Sequence, residues 1–260
     1  MAAADPVRGP AAGLARGLGL ARSLVIYYGQ PWRLRAQGRL YRAFLGPGDL
    51  AFDIGAHVGN RTRVLRSLGA RVVALEPQPR LAALLERQFA ADPGVTVVAA
   101  AAGAAPGSAT LHASRRTPTV STLSPGWIER VRRTPGFAAV RWQDRHEVPV
   151  TTLDALIARH GLPLFCKIDV EGFEALVLQG LSQPLPALSF EYLPAALDVA
   201  LAALRRLAEL GDYRCNVTVG EGARWLWPEW QAGDATLAWL AGQRTEERSG
   251  DVWARLERSR

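Results

Sequence analysis

The segment LAFDIGAHVGN (residues 50–60) decides the fold. Leu50 to Ile54 read as a short apolar strand carrying one carboxylate, Asp53, and the chain then turns through Gly55-Ala56-His57-Val58-Gly59 into a helix that runs to about Leu68. Gly55 permits the tight turn, and Gly59 lets the helix start come close to sheet and ligand, because glycine accepts left-handed backbone at little cost. The first turn of such a helix presents free N–H groups and a partial positive charge above the end of the strand. A second apolar strand, RVVALE (71–76), ends on Glu76. A carboxylate at that point can accept hydrogen bonds from both hydroxyls of a ribose. Strand, glycine turn, helix, strand and acid together place an adenosine-containing ligand over the carboxyl ends of the strands.

Outward from this segment, apolar strands and helices alternate. Helix 79–91 and strand 95–100 follow. After an irregular stretch the beat resumes with strand 148–152, helix 153–160, strand 164–169, helix 172–180, strand 186–192, helix 195–210 and strand 213–219, the last paired with 223–227. Continuous apolar strands joined by helices imply a parallel sheet buried on both faces. Right-handed crossovers then give a doubly wound, Rossmann-like α/β sheet with helices on both faces. Between 103 and 150 the beat breaks. Strand 108–113 is expected to hairpin off the sheet, and RRTPTVSTLSPGWIERVRRTPGF (115–137) to form an insertion at its carboxyl edge, with one short helix over 127–133. The organisation expected is a helical segment over 1–48, a domain over 49–230, and a charged, partly helical and peripheral tail over 231–260.

Composition removes several classes of function. With 260 residues, 48% hydrophobic and 21% charged, the chain can bury a large core and is not a disordered tail. Two cysteines, Cys166 and Cys215, make neither a disulfide scaffold nor a four-cysteine zinc site, and read as buried thiols of a cytoplasmic protein. The net charge of +7 invites a nucleic-acid partner. However, Lys167 is the only lysine and the arginines are dispersed, so a nucleic-acid partner is disfavoured against a small-molecule acceptor. Arg8, Arg16 and Arg22 interrupt every apolar stretch near the start, which argues against an export signal and for an amphipathic first helix. Nowhere does the chain offer an uninterrupted membrane span, since glycines and Pro106 break the uncharged stretch 95–114.

The dinucleotide fingerprint G-x-G-x-x-G fails because His57 stands two after Gly55. The pattern D/E-x-G-x-G-x-G of S-adenosylmethionine enzymes fits better. Asp53, Gly55 and Gly59 match it, with His57 in the middle glycine's place. The ammonium and sulfonium groups of that cofactor favour a nearby carboxylate such as Asp53.

Four segments, DIGAHVGN (53–60), VVALEPQP (72–79), VPVTTLDAL (148–156) and CKIDVEGFEALVLQGL (166–181), resemble the FkbM family of S-adenosylmethionine-dependent methyltransferases. The likeness covers roughly 45–215, and KIDVEGFE is its most specific part. It implies the seven-stranded methyltransferase sheet and O-methylation of a sugar or natural-product hydroxyl. It also implies a cofactor site drawn from Asp53, Gly55, Ala56, His57, Gly59, Asn60, Glu76 and Pro77, with the segment Ala100 to Gly103, Ala101 within it, running beside the adenine.

Methyl transfer needs an acceptor oxygen aligned with the sulfonium methyl, water excluded, and a group to take the hydroxyl proton. Three acids fall at the ends of the fourth and fifth strands: Asp169, Glu171 and Glu191. Any of them can act as the base or orient the acceptor, and together they can hold a divalent cation, although no motif supports a metal. Lys167 is spaced to pair with Asp169. The arginines at 115 and 116 and the hydroxyls at 117–124 are candidates for acceptor binding. The late tryptophans are read as cover for the sheet edge or as a homodimer contact. Three other readings remain: a methyltransferase-like domain that binds cofactor without transfer, a nucleic-acid methyltransferase, and an NAD-dependent oxidoreductase.

Overall fold

The computed structural model describes residues 31–220 and 222–257, with side chains from Ala36 onward. The expectations for residues 1–30 lie outside them. Helix α1 (Pro31–Tyr41) leads through the Gly46-Pro47-Gly48 turn into β1 (Leu50–Ile54), α2 (Asn60–Ser67), β2 (Arg71–Leu75), α3 (Pro79–Phe89) and β3 (Val95–Val98). After the irregular region come α5 (Leu153–His160), β7 (Phe165–Ile168), α6 (Glu174–Gln179), β8 (Ala187–Tyr192), α7 (Leu197–Leu210), β9 (Tyr213–Val219), β10 (Gln231–Ala232), α8 (Gly233–Ala241) and β11 (Gly250–Leu256). The intervening elements are β4 (Ala101–Ala102), β5 (Gly107–Ala113), α4 (Pro125–Val131) and β6 (Asp144–Thr151). No helix among the described residues is long and apolar enough to cross a membrane.

The main sheet has eight strands in the order β10-β9-β11-β8-β7-β1-β2-β3. The pairs β8–β7, β7–β1, β1–β2 and β2–β3 are parallel, and β11 runs antiparallel to both β8 and β9. The doubly wound α/β expectation holds. The expected count of seven is exceeded by one, because the two-residue β10 adds to the edge at β9. Every residue of β1 and β7 is buried, as a parallel strand covered on both faces requires.

Three details depart from the sequence reading. Residues 148–152 do not rejoin the main sheet. Residues 148–151 belong to β6, which pairs parallel with β4 and antiparallel with β5 in a separate three-stranded sheet, and Thr152 caps the next helix. The alternation of its residues, with Val148 buried and Pro149 exposed, suits a sheet covered on one face. Residues 223–227 form no strand and touch the β9 edge through the Leu226 amide on the Val217 carbonyl (2.7 Å). The third departure concerns the C-terminus, whose residues 250–256 were read as part of a charged peripheral tail. They are instead β11, inserted between β8 and β9 with Val252, Trp253 and Ala254 buried. The domain boundary expected at 230 therefore falls inside the sheet. The charge had masked a central strand only seven residues long, three of them consecutive apolar residues.

The two faces are covered by different helices. On one, α5, α6, α7 and α8 pack Leu153, Leu178, Leu204 and Leu240 over Phe52, Ile54, Ile168 and Phe190. On the other, Leu40 and Tyr41 of α1 and Val64 and Leu65 of α2 meet Ala51, Phe165, Ala187 and Trp253. Trp225, Trp230 and Trp253 cluster with Phe44 on this face, so these late tryptophans cover the sheet, as one of the two sequence readings had it. The residues between β5 and β6 fold over the carboxyl edge as a small cap. Its centre is Trp127, set edge-on to Phe137 and Trp142 and packed near Ala196.

Candidate active site

The turn after β1 holds three left-handed residues in close succession, Gly55 (φ 84°), His57 (φ 51°) and Gly59 (φ 81°). The amides of Gly55 and Ala56 both donate to the Leu75 carbonyl at 2.9 Å, tying the turn to β2. A Cβ on Gly55 would drive into the carbonyl of Asp169, so this glycine lets β1 and β7 close up at their carboxyl ends. Gly59 serves another purpose than the one expected. A side chain there would strike Leu85 and Gln88 of α3, so it permits helix-to-helix approach rather than contact with a ligand.

Glu76 is buried at the end of β2. Its Oε2 accepts from the His57 amide (2.8 Å) and its Oε1 from the Gln78 amide (2.8 Å). Burial pushes this carboxyl up to about 7, although both amide bonds pull the other way. The Gln78 side chain donates to it as well, and the carboxylate still has acceptor capacity for a further donor, which a ribose hydroxyl can supply. Burial lowers His57 to about 4, against the pull of Asp169, so its imidazole is neutral at physiological pH. Asp53 is fully buried beneath the turn. Thr62 Oγ1 donates to its Oδ2 (2.6 Å), while its Oδ1 has no partner, and burial raises its pKa.

On β7 the Lys167 ammonium, 2% exposed, meets Asp169 Oδ2 at 2.6 Å. Burial opposes the charge on Asp169, but Lys167 prevails and holds this carboxyl below its ordinary value. The next acids behave in the opposite way. Burial, Asp169 and Glu174 drive Glu171 well above the usual carboxylate range, and burial, Glu171 and Asp169 do the same to Glu191. Asp169, Glu171 and Glu191 each offer an oxygen, all within 4.8 Å of one another. Like charges this close cannot all be ionised cheaply, so the group shares protons unless a cation lies among them. The structure thus brings together the three acids the sequence singled out.

Glu171 itself adopts φ 54°, a conformation uncommon for a non-glycine residue. Its loop is held by Glu174, which the sequence reading passed over. Glu174 is 3% exposed, and its Oε1 accepts from the amides of Val170 (3.2 Å) and Gly172 (3.3 Å). Burial pushes it up to about 7. The available signal was the third acid of KIDVEGFE, spaced to fold back on its own loop. A carboxyl raised in the folded state destabilises once its unfolded form is ionised, so this contribution falls as pH rises from about 4.5 to about 7. Glu174→Gln keeps an oxygen for both amides and removes the charge. Across that window the variant should lose about 2 kcal/mol less stability than the parent, read from denaturant midpoints at pH 5 and pH 8.

These elements line a pocket at the carboxyl ends of the strands. Ile54, Leu75, Ala101, Leu111 and Leu123 give it an apolar body, with Glu76 and Pro77 on one side and Asp169, Glu171 and Phe173 on another. Of the residues expected at the cofactor, Gly55, His57, Glu76, Pro77 and Ala101 line this cavity. Asp53, Ala56, Gly59 and Asn60 are buried outside its lining, and Asp53 acts on the turn through Thr62. Glu191 also stands outside the lining, beside Asp169 and Glu171. Residues that the sequence reading did not assign to the cofactor complete the walls: Gln78, Phe173 and the insertion residues Thr119, Ser121, Thr122 and Leu123. Arg115, expected to await an anionic acceptor, is paired with Asp144 (2.7 Å), while Arg116 is exposed.

Comparison with known proteins bears on this arrangement. A family model described as "Methyltransferase FkbM domain" matches residues 53–213. No curated protein matches the chain. Among solved structures, the chain is similar to the methyltransferase FkbM from Methylobacillus flagellatus KT, with 15% identity and a TM-score of 0.48 over 94% of this chain and 58% of that one. It thus spans a little over half of that protein's length. An O-methyltransferase from Bacillus cereus in complex with SAH gives 14% identity, a TM-score of 0.44 and coverage of 96% and 92%. The precorrin-6y C5,15-methyltransferase from Geobacter metallireducens GS-15 gives 12% identity, a TM-score of 0.43 and coverage of 88% and 86%.

Proposed function

The chain belongs to the FkbM methyltransferase family, and from that premise we propose that it transfers a methyl group from S-adenosylmethionine to a hydroxyl of a small acceptor, a sugar or a natural-product-like molecule. The observation that carries this reading is the position of Asp169 and Glu171, with Glu191 beside them, at one end of a cavity whose other side presents a carboxylate, Glu76, beside an apolar slot.

The residues present fit the cofactor. Glu76 has acceptor capacity left for a ribose hydroxyl, Ala101 and Leu111 offer an apolar bed for an adenine, and the ionised Asp169 suits a neighbouring ammonium or sulfonium. When bound, the cofactor supplies an electrophilic methyl group on sulfur. The chain's own task is then to hold the acceptor oxygen in line, keep water out and receive one proton. Asp169 stays ionised through Lys167 and orients the acceptor hydroxyl. Glu191, outside the cavity lining yet close to Asp169, would accept in its ionised form the hydroxyl proton that methyl transfer releases, its raised pKa making it the stronger base. The Trp127-centred cap packs against the loop that carries Glu171, with Trp127 set against Gly172.

The test is transfer of a labelled methyl group from S-adenosylmethionine to pooled sugars, polyols and phenols. Glu191→Gln should lower the transfer rate by roughly 10²- to 10⁴-fold while S-adenosylhomocysteine affinity stays within about threefold of the parent. Loss of cofactor affinity in that variant would place Glu191 in the cofactor site and remove it as the base. Cofactor binding with no transfer to any acceptor would favour a catalytically silent domain.

A further inference from the structure

The cavity has one wall unlike the others. Its floor and sides come from strand ends and βα turns tied into the two sheets, but the wall formed by residues 117–123 belongs to the insertion. Within the short 3-10 turn Pro118–Val120 no residue is buried, and of residues 115–123 only Thr122 is. Apart from Val120, half-buried beside the Trp127 cluster, and Leu123 beside Leu111, the strap holds its place mainly through polar contacts, and a segment with so little fully buried apolar surface opens at lower cost than the sheets around it.

Those contacts divide into a post and two latches. Thr122 is the post. It is 1% exposed, its amide and carbonyl pair with those of His112 (3.0 and 2.9 Å), its Oγ1 donates to the Glu171 carbonyl (2.6 Å), and the same Oγ1 accepts the Ser124 amide (2.9 Å). Ahead of the post, two side chains reach across to the strap's carbonyls. Gln78 Nε2 donates to the Pro118 carbonyl (3.1 Å), and Trp142 Nε1 donates to the Val120 carbonyl (2.8 Å). The strap's upstream end is fixed by the Arg115–Asp144 pair. Two fixed ends with single-bond latches between them define a segment that can swing while its anchors stay in place.

We infer that residues 117–121 are the gate of the cofactor cavity, pivoting between Arg115 and Thr122, and that the bonds from Gln78 and Trp142 latch it shut over bound cofactor. The inference rests on the cavity being the S-adenosylmethionine site. Its consequence is kinetic. A latch that must release before entry and again before exit slows both directions, so loosening it speeds entry and exit together and leaves affinity nearly unchanged.

Trp142→Phe provides the test, because it removes the N–H donor and keeps an aromatic ring against Trp127, and residue 142 does not line the cavity. S-adenosylhomocysteine association and dissociation would be followed by stopped flow on the full chain and on this variant. Loss of one such bond should raise both rate constants by about fivefold, with Kd within about twofold of the parent. Gln78→Met, which loses the other latch, should likewise raise the association rate constant, although its Kd is free to change because Gln78 lines the cavity, and combining the two should raise association further. Unchanged rates in both variants would overturn the gate. So would a rise in dissociation alone, with Kd weakened by the same factor, since that is the signature of a fixed wall. If the unaltered chain binds no S-adenosylhomocysteine at all, the assignment of the cavity falls first and the gate falls with it. Binding with unchanged kinetics defeats the gate alone.

Discussion

Deleting residues 250–257 is expected to abolish cooperative unfolding. A charged C-terminal stretch is ordinarily dispensable, but here it supplies β11, the strand that joins β8 to β9. Its removal would expose two ladder edges in the middle of the sheet and uncover the face packed by Tyr41 and Phe44. The point variant Trp253→Ala measures the same contribution in a milder form. Trp253 is 2% exposed, stacks on Phe44 with ring centroids 5.9 Å apart, and donates from its indole N–H to Thr218 Oγ1 at 3.1 Å. Truncating a buried tryptophan leaves a large cavity and an unpaired hydroxyl, so a cost of about 4 kcal/mol is expected from denaturant unfolding. A truncated chain that keeps a sharp thermal transition near that of the full chain would show that the sheet closes without β11.

Gly55→Ala should eliminate cofactor binding. Two effects combine at this position. The backbone sits at φ 84°, where an alanine is strained, and the new methyl group would collide with the Asp169 carbonyl. The collision cannot be relieved by a side-chain rotation, because the obstacle is the backbone of β7 at the point where Asp169 donates its amide to the Ile54 carbonyl (2.9 Å). Relief requires the ends of β1 and β7 to separate, which displaces both the turn and the acid group. The expected outcome is a stability loss of about 3 kcal/mol and no measurable affinity for S-adenosylhomocysteine. Folded Gly55→Ala protein that binds with parental affinity would remove the turn from the account of the site.

The residues differ in how readily their roles could be read from the chain. The turn 53–60 and the acid Glu76 were legible because strand, glycine and carboxylate recur at spacings fixed by a βα unit. The meeting of Asp169, Glu171 and Glu191 was legible because both strands end at the same edge of a parallel sheet. Asp53 and Gly59 were placed at the ligand on the strength of their motif. The structure gives them work behind the turn, as the partner of Thr62 and as a close contact with α3. That distinction depends on which way a side chain leaves the turn, and local spacing does not encode it. The strap was legible only as a polar insertion, since its place over the cavity depends on Gln78 and Trp142, far from it in sequence. β11 was hidden by its own composition. Asp251 and Arg255 flank three apolar residues, too short a run to outweigh the charge around it, and its pairing partners lie in β8 and β9.

Calorimetric titration of the purified chain with S-adenosylhomocysteine, with NAD as the comparison ligand, tests the central claim most directly. The cavity bounded by Glu76, Ala101 and Asp169 predicts saturable binding of one S-adenosylhomocysteine per chain and none of NAD, with the binding lost in Gly55→Ala. Binding of NAD without binding of S-adenosylhomocysteine would contradict it.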